Sequence, residues 1–211
     1  MTASAAGLQA HFERLYGQDD DPWSVRRSWY EQRKRALVLA ALPQPRYANA
    51  YEAGCGNGEM TAALAPRCER LLAADLSAEA LQLADTRLRH AGLREHVTLG
   101  RHKLPEDMPG SEGGAAPFDL IILSEIGYYL QAGELALLAA RCATALAPGG
   151  TLLLCHWRAP FADRCLPTQQ VHGAFDNNAA LHRLLRHEED DFLLEAWSNE
   201  ARSVAEREGL R

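Results

Sequence analysis

The stretch Tyr51-Glu52-Ala53-Gly54-Cys55-Gly56-Asn57-Gly58-Glu59 constrains this chain more than any other. Alternating apolar residues lead into it, and a helical pattern from about Glu59 to Ala65 leads out. A second apolar run, Leu71-Leu72-Ala73-Ala74, then ends on Asp75. A strand, a glycine turn, a helix and a second strand ending in an acid make a βαβ unit suited to a nucleoside. Glycines let the turn close tightly and let a ligand lie against the backbone. The helix that follows starts with free N–H groups, and Asp75 is placed to accept hydrogen bonds from ribose hydroxyls. The dinucleotide fingerprint is G-x-G-x-x-G with the pyrophosphate at the helix N-terminus. Here the glycines are 54, 56 and 58, and Glu59 stands where the third glycine belongs. Glu52, just before the turn, would repel a pyrophosphate and suits a cationic ligand. Both acids argue against a nicotinamide-dependent oxidoreductase built on the same start.

The rest of the chain reads as one α/β domain, and 211 residues are enough to bury a full core. Residues 1–7 are expected to be disordered, and Leu8 to Tyr16 to form a short helix with Leu8, Phe12, Leu15 and Tyr16 on one face. Ser28 is placed to cap a helix from Trp29 to Leu42, with Glu31 at its third position and Pro43 as its stop. Strands are expected at Tyr47 to Glu52, Arg70 to Asp75, His96 to Gly100, Phe118 to Leu123 and Thr151 to Cys155. Ser77 caps a helix over Ala78 to Ala91, Gly92 ends it, and a further helix covers Ala132 to Leu146. Pro105 to Pro117 reads as a surface loop. Phe161 to Gly173 reads as a polar insertion with a short helix near Val171. Leu181 to His187 and Phe192 to Trp197 are expected to pair as a hairpin, with a frayed tail after Glu200.

Three further stretches carry a resemblance: Asp21-Pro22-Trp23, Trp29-Tyr30-Glu31-x-Arg33-Lys34, and Ser124-Glu125-Ile126-x-Tyr128-Tyr129-Leu130. Together with the acid–glycine–acid set they resemble the class I S-adenosylmethionine-dependent methyltransferases, and in particular the NodS-like N-methyltransferases. The resemblance covers about Phe12 to Leu154. It implies a Rossmann-like fold: a mostly parallel seven-stranded sheet, a final antiparallel hairpin, and helices on both faces. It divides the single domain into an N-terminal helical lid (1–45), a cofactor-binding core (46–156) and a substrate-side insertion with the hairpin (157–211). It implies S-adenosyl-L-methionine as cofactor and S-adenosyl-L-homocysteine as product. Glu52, Gly54, Cys55, Gly56, Asp75, Leu76, Ser124 and Glu125 are the core positions expected to hold the cofactor. Trp23, Tyr30 and Arg33, with Lys34 beside them, are expected to close over it. Where many class I enzymes carry an acid for the adenine amino group, this chain reads Arg101-His102-Lys103-Leu104, so adenine is expected to rest on backbone groups and Leu104.

The chemistry follows from ligands lying beyond the C-terminal ends of parallel strands. Glu125 and His156 end two of them and are the candidate catalytic residues. An amine acceptor needs a carboxylate or imidazole within hydrogen-bond reach to be held and kept neutral. One of the adjacent pair Tyr128 and Tyr129 is expected to face the crevice, with Tyr128 the choice to cover the donor. Arg158, Asp163, Arg164 and His172 are candidate selectors of a polar acceptor such as an amino sugar. O-methylation and a non-catalytic S-adenosylmethionine-binding role remain alternatives. His182 and His187 would not share a helix face and no third ligand accompanies them, so no metal is expected. A net charge of −6 argues against a general nucleic-acid binder. No apolar run approaches a membrane span, and the first residues do not form a secretory signal. Five cysteines without C-x-x-C spacing fit reduced thiols in a cytoplasm.

Overall fold

A computed structural model describes residues 5–110 and 116–211. The elements in order are α1 (Ala5–Gln18), α2 (Trp29–Ala41), β1 (Ala50–Ala53), α3 (Glu59–Leu64), β2 (Leu71–Asp75), α4 (Ala78–His90), β3 (Val97–Arg101), β4 (Phe118–Ser124), α5 (Ala132–Ala145), β5 (Leu146–Trp157), α6 (Thr168–Asp176), β6 (His182–Glu188), β7 (Phe192–Ser198) and α7 (Val204–Arg207). The seven strands form one sheet in the order β3-β2-β1-β4-β5-β7-β6. The first five are parallel, and β7 lies antiparallel to both β5 and β6. This is the expected seven-stranded Rossmann-like fold with its final antiparallel hairpin.

Strand residues alternate between two packed layers, because successive side chains of a strand point to opposite faces. Leu120 and Ile122 of β4 meet Val38 and Leu42 of α2 and Leu88 of α4 on one face. Ile121 and Leu123 meet Leu138 and Cys142 of α5 and Phe175 of α6 on the other. Both faces are therefore apolar, and β4 reads as an unbroken hydrophobic run from Leu120 to Leu123, as central parallel strands do.

Several local expectations are corrected. Helix α1 starts at Ala5, inside the segment expected to be disordered; residues 1–4 lie outside the described ones, as do residues 111–115 of the expected surface loop. Ser28 takes the N-cap backbone conformation of α2 but its side chain caps nothing, and Glu31, expected to complete a capping box, accepts from Lys34 instead. Strand β5 starts at Leu146, with a register shift over the Pro148-Gly149-Gly150 turn. The tail is ordered: Ser203 and Glu206 form a capping box on α7, and Arg207 reaches Ser198 Oγ at 2.9 Å. The Ser-x-x-Glu spacing that signals such a box was present in the sequence.

Gly58, φ 82°, turns the chain into α3 against α4, where an added Cβ would stand 2.9 Å from Ala84 Cα. Gly58→Ala combines left-handed strain with a backbone clash. It should lower unfolding free energy by about 2–4 kcal/mol in urea titration.

Candidate active site

The glycine turn, the ends of β1, β2, β4 and β5, and helices α1 and α2 enclose a cavity of about 830 Å³. That volume lies in the usual range for ligand sites. At its floor Asp75 accepts from the backbone N–H of Gly56 through Oδ2 and of Ser77 through Oδ1, both at 2.9 Å. Burial raises the Asp75 carboxyl above its ordinary value, partly offset by those N–H bonds. Gly54 and Gly56 have positive φ, and a Cβ on Gly56 would stand 2.6 Å from the Tyr16 hydroxyl, so α1 reaches right over the turn. Glu52 is 2% exposed, and its Oε2 has no hydrogen-bond partner. Burial pushes its carboxyl up to about 8, and the charge of Asp75 adds to the shift. A buried carboxylate oxygen without a partner, on the wall of a cavity cradled by glycines, fits a ligand that brings a cation.

Glu125 follows β4 in a left-handed backbone conformation, φ 57°, which a residue with a Cβ adopts at a cost and which clusters at functional sites. Its Oε1 accepts from Lys34 Nζ at 2.7 Å. Its Oε2 accepts from the Tyr128 hydroxyl at 2.6 Å and from the Trp157 N–H at 2.9 Å. Lys34 is 6% exposed and also donates to Glu31 Oε1 at 2.9 Å. Burial opposes its charge, but the two carboxylates outweigh burial and raise the ammonium above its ordinary value. The Tyr128 hydroxyl is pushed far up by burial first and by Glu125 second, so it stays a donor.

The cavity wall includes Trp23, Tyr30, Glu52, Gly54, Cys55, Gly56, Asp75, Leu76, Leu104, Ser124, Glu125 and Tyr128 among the residues named from sequence. Two of the residues named for the cofactor or for catalysis lie elsewhere. Arg33 is directed at the hairpin turn, where Nη1 and Nη2 donate to Glu189 at 2.8 and 2.7 Å. Helical spacing explains it: Tyr30, Lys34 and Val38 form one stripe of α2, joined by Glu31 and Arg35, and Arg33 falls off it. His156 is also absent from the wall. Cys155 and Trp157 face the cavity, so their neighbour on the strand faces away.

His156 is wholly buried and fully committed. Its Nε2 accepts from the Gly127 N–H at 3.0 Å, so Nδ1 carries the proton and donates to His172 Nε2 at 3.1 Å. His172 then donates from Nδ1 to Glu195 at 2.8 Å. Burial holds both imidazoles below their ordinary value, and so neutral. His156 therefore fixes the turn that carries Tyr128 and Tyr129 and has no ring nitrogen left for an acceptor.

Both tyrosines line the cavity, not one, because the chain between β4 and α5 is a 3-10 turn and not a strand. Of the four candidate selectors, only Asp163 reaches the wall, paired with His11 at 3.4 Å. Arg164 is tied to the carbonyls of Trp157, Arg158, Ala159 and Leu166. Arg158 pairs with Glu188 at 3.0 Å, and His172 is buried behind β5. His11, Ile126 and Trp157 reach the wall without having been singled out, and Phe12 and Tyr16 reach it from the apolar face assigned to α1.

A methyltransferase domain model matches residues 50–150. A candidate methyltransferase of known structure from Pseudomonas syringae is 44% identical, with 81% of this chain aligned to 99% of that one at a TM-score of 0.69. The chain belongs to the class I S-adenosylmethionine-dependent methyltransferases. Within them it is similar to the N-methyltransferase NodS of Bradyrhizobium japonicum, solved with S-adenosyl-L-homocysteine: 25% identity, 90% of this chain, 97% of that chain, TM-score 0.76. Nodulation protein S of Rhizobium tropici is 33% identical over 137 residues, 64% of this chain and 54% of that protein. The chain spans about half the length of the curated relatives it matches. Among the described residues no helix is long and apolar enough to cross a membrane.

Glu52 makes a measurable contribution to pH dependence. In the folded chain it keeps its proton to about pH 8, and in the unfolded chain it loses it near 4.5. Between those values the folded state binds the extra proton, so stability falls as pH rises, by up to about 1.4 kcal/mol per unit. Urea titrations of the ligand-free protein across pH 5–8 should show this slope, and Glu52→Gln should flatten it.

Proposed function

We propose that this protein methylates the amine of a small polar acceptor, an amino sugar or a similar metabolite. It is read as a single unit of lid, cofactor core and acceptor-side insertion, working in the cytoplasm. Four of its five cysteines are free and buried, which suits a reducing compartment. When bound, S-adenosylmethionine supplies a methyl group already activated by the positive sulfonium. The residues that would hold it are Glu52, the glycines 54 and 56, Asp75, Leu76 and Leu104, with Trp23 and Tyr30 above.

The observation that carries the reading is Glu125. It lines the cavity with its side chain 29% exposed, and three of its roughly four acceptor sites are filled. The remaining one suits an acceptor N–H. The wall around it is acidic: even with Glu52 protonated, six further Asp and Glu side chains stand against three permanent cations, Lys34, Arg35 and Lys103. The field of such a wall draws an amine toward the cavity in its charged form and repels a carboxylate-bearing molecule. Tyr128, Tyr129, Trp157 and Phe161 close the same side and exclude water. What the protein contributes is then position and dryness around an aligned amine, effects that together can supply roughly 7–11 kcal/mol of barrier lowering.

Two measurements test this. The protein is incubated with methyl-labelled S-adenosylmethionine and matched acceptors, D-glucosamine and D-glucose. Label should pass to the amine alone; transfer to the hydroxyl compound would make it an O-methyltransferase. Cofactor binding with no transfer to any amine would leave a binding module. Glu125→Gln should lower the turnover by roughly 10²-fold through lost alignment, with S-adenosylhomocysteine affinity by calorimetry within about threefold of the parent.

A further inference from the structure

The acceptor site left on Glu125 has a cation beside it. The Tyr128 hydroxyl and the Trp157 N–H fill Oε2, so the open site is on Oε1, the oxygen that Lys34 Nζ already holds at 2.7 Å. Lys34 cannot move aside freely, because Glu31 holds it at 2.9 Å on the same helix and it stands 5.4 Å from the centre of the Tyr30 ring. An acceptor amine on Oε1 is therefore a close neighbour of a buried ammonium. A second ammonium in that place would meet the Lys34 ammonium at close range, with Glu125 already paired to it and Glu31 on the far side of Lys34. A neutral amine would meet only an oxygen with a free lone pair.

We propose that Lys34 selects the unprotonated form of the acceptor amine, with Glu125 orienting its N–H and taking no proton from it. The inference rests on the amine-methylating reading above. The step balances without a base on the enzyme. The nitrogen lone pair forms the new bond to the methyl carbon, the carbon–sulfur bond of the donor breaks, and its electron pair stays on sulfur. The proton already on nitrogen stays there, so the product is an ammonium, which Lys34 repels toward solvent. One lysine thus excludes the unreactive form of the substrate and speeds the departure of the charged product.

The other groups facing this pair do not reproduce the effect. Tyr30 from α2, Tyr128 and Tyr129 from the turn, and Cys155 from β5 are all pushed up by burial, and His156 behind them is pushed down. None of these gains or loses charge between pH 6 and 9. Arg164, stacked 5.4 Å from the Tyr128 ring, and the carboxylate of Glu31 complete the surroundings. Glu52 on the cavity floor ionises near pH 8, but its negative charge would favour a cation at high pH, the opposite direction.

The test is calorimetric binding of D-glucosamine to the protein loaded with S-adenosylhomocysteine, at pH 6 and pH 9. The parent should bind about tenfold or more tightly at pH 9, and Lys34→Arg should keep that preference. Lys34→Gln should reverse it, binding more tightly at pH 6, because Glu125 then pairs with the ammonium. Far-ultraviolet circular dichroism and the urea midpoint of each variant, measured first, show that its fold is intact. Equal or tighter binding by the parent at pH 6 overturns the role of Lys34 and leaves amine methylation standing. So does an unchanged preference in an intact Lys34→Gln protein. No binding of the amine at either pH removes the amine reading itself, and this inference with it.

Discussion

The carboxylate of Asp75 is the point on which the site depends. By accepting the N–H groups of Gly56 and Ser77 it joins the turn after β1 to the start of the helix after β2. Both strands are short, four and five residues, and both end at this carboxylate. It holds the left-handed turn open at the middle of the sheet, beside the place where the strand order reverses between β1 and β4. That reversal is where open α/β sheets bind ligands. Glu52 reaches the same space from β1, and Glu125 from the end of β4, one strand away.

The segment before β1 is held to the same turn. Asn57, between two of the glycines, donates to the backbone carbonyl of Asp20 at 2.9 Å and to the buried Asp21 carboxylate at 3.2 Å. Glu59 is 7% exposed and meets Arg87 of α4 at 2.8 Å, Arg26 at 3.3 Å and Arg35 of α2 at 4.0 Å. A carboxylate buried with several guanidinium groups around it is costly to strip of them. The acid that spoils the dinucleotide fingerprint is therefore one of the anchors of the segment that carries Arg26 and Arg35. Lys34 on Glu125 and Arg33 on Glu189 hold α2 at two further places, one buried and one at the surface. The surface pair is worth little by itself.

The centre of the sheet was legible because hydrophobic period and punctuation agree along it: β1, β2 and β4 are short apolar runs, and the helices between them are bounded by a cap, a glycine or a proline. Glu52, the glycines, Asp75 and Glu125 were legible because motif and topology point to one crevice. The errors came from direction within an element. His156 and Arg33 were assigned by their chemistry, while the two-residue period of β5 and the helical stripe of α2 decided where they point. Tyr129 was misread for the opposite reason, since a 3-10 turn does not alternate. The bond between Lys34 and Glu125 joins residues 91 positions apart, and no local pattern reports such a pair.

Strand β7 is inserted between β5 and β6, and all seven of its residues are buried. Until residue 198 has left the ribosome, β5 therefore has an open edge, and Leu152 to Cys155 lack a neighbour on that side. The cofactor half of the sheet can assemble early from contiguous strands, but the edge of β5 stays adhesive until β7 arrives. Premature termination just short of β7 would leave a molecule with the whole glycine motif and a bare, apolar strand beside it. Such a fragment is a candidate for aggregation, because nothing in it would cover the side of β5 that β7 occupies.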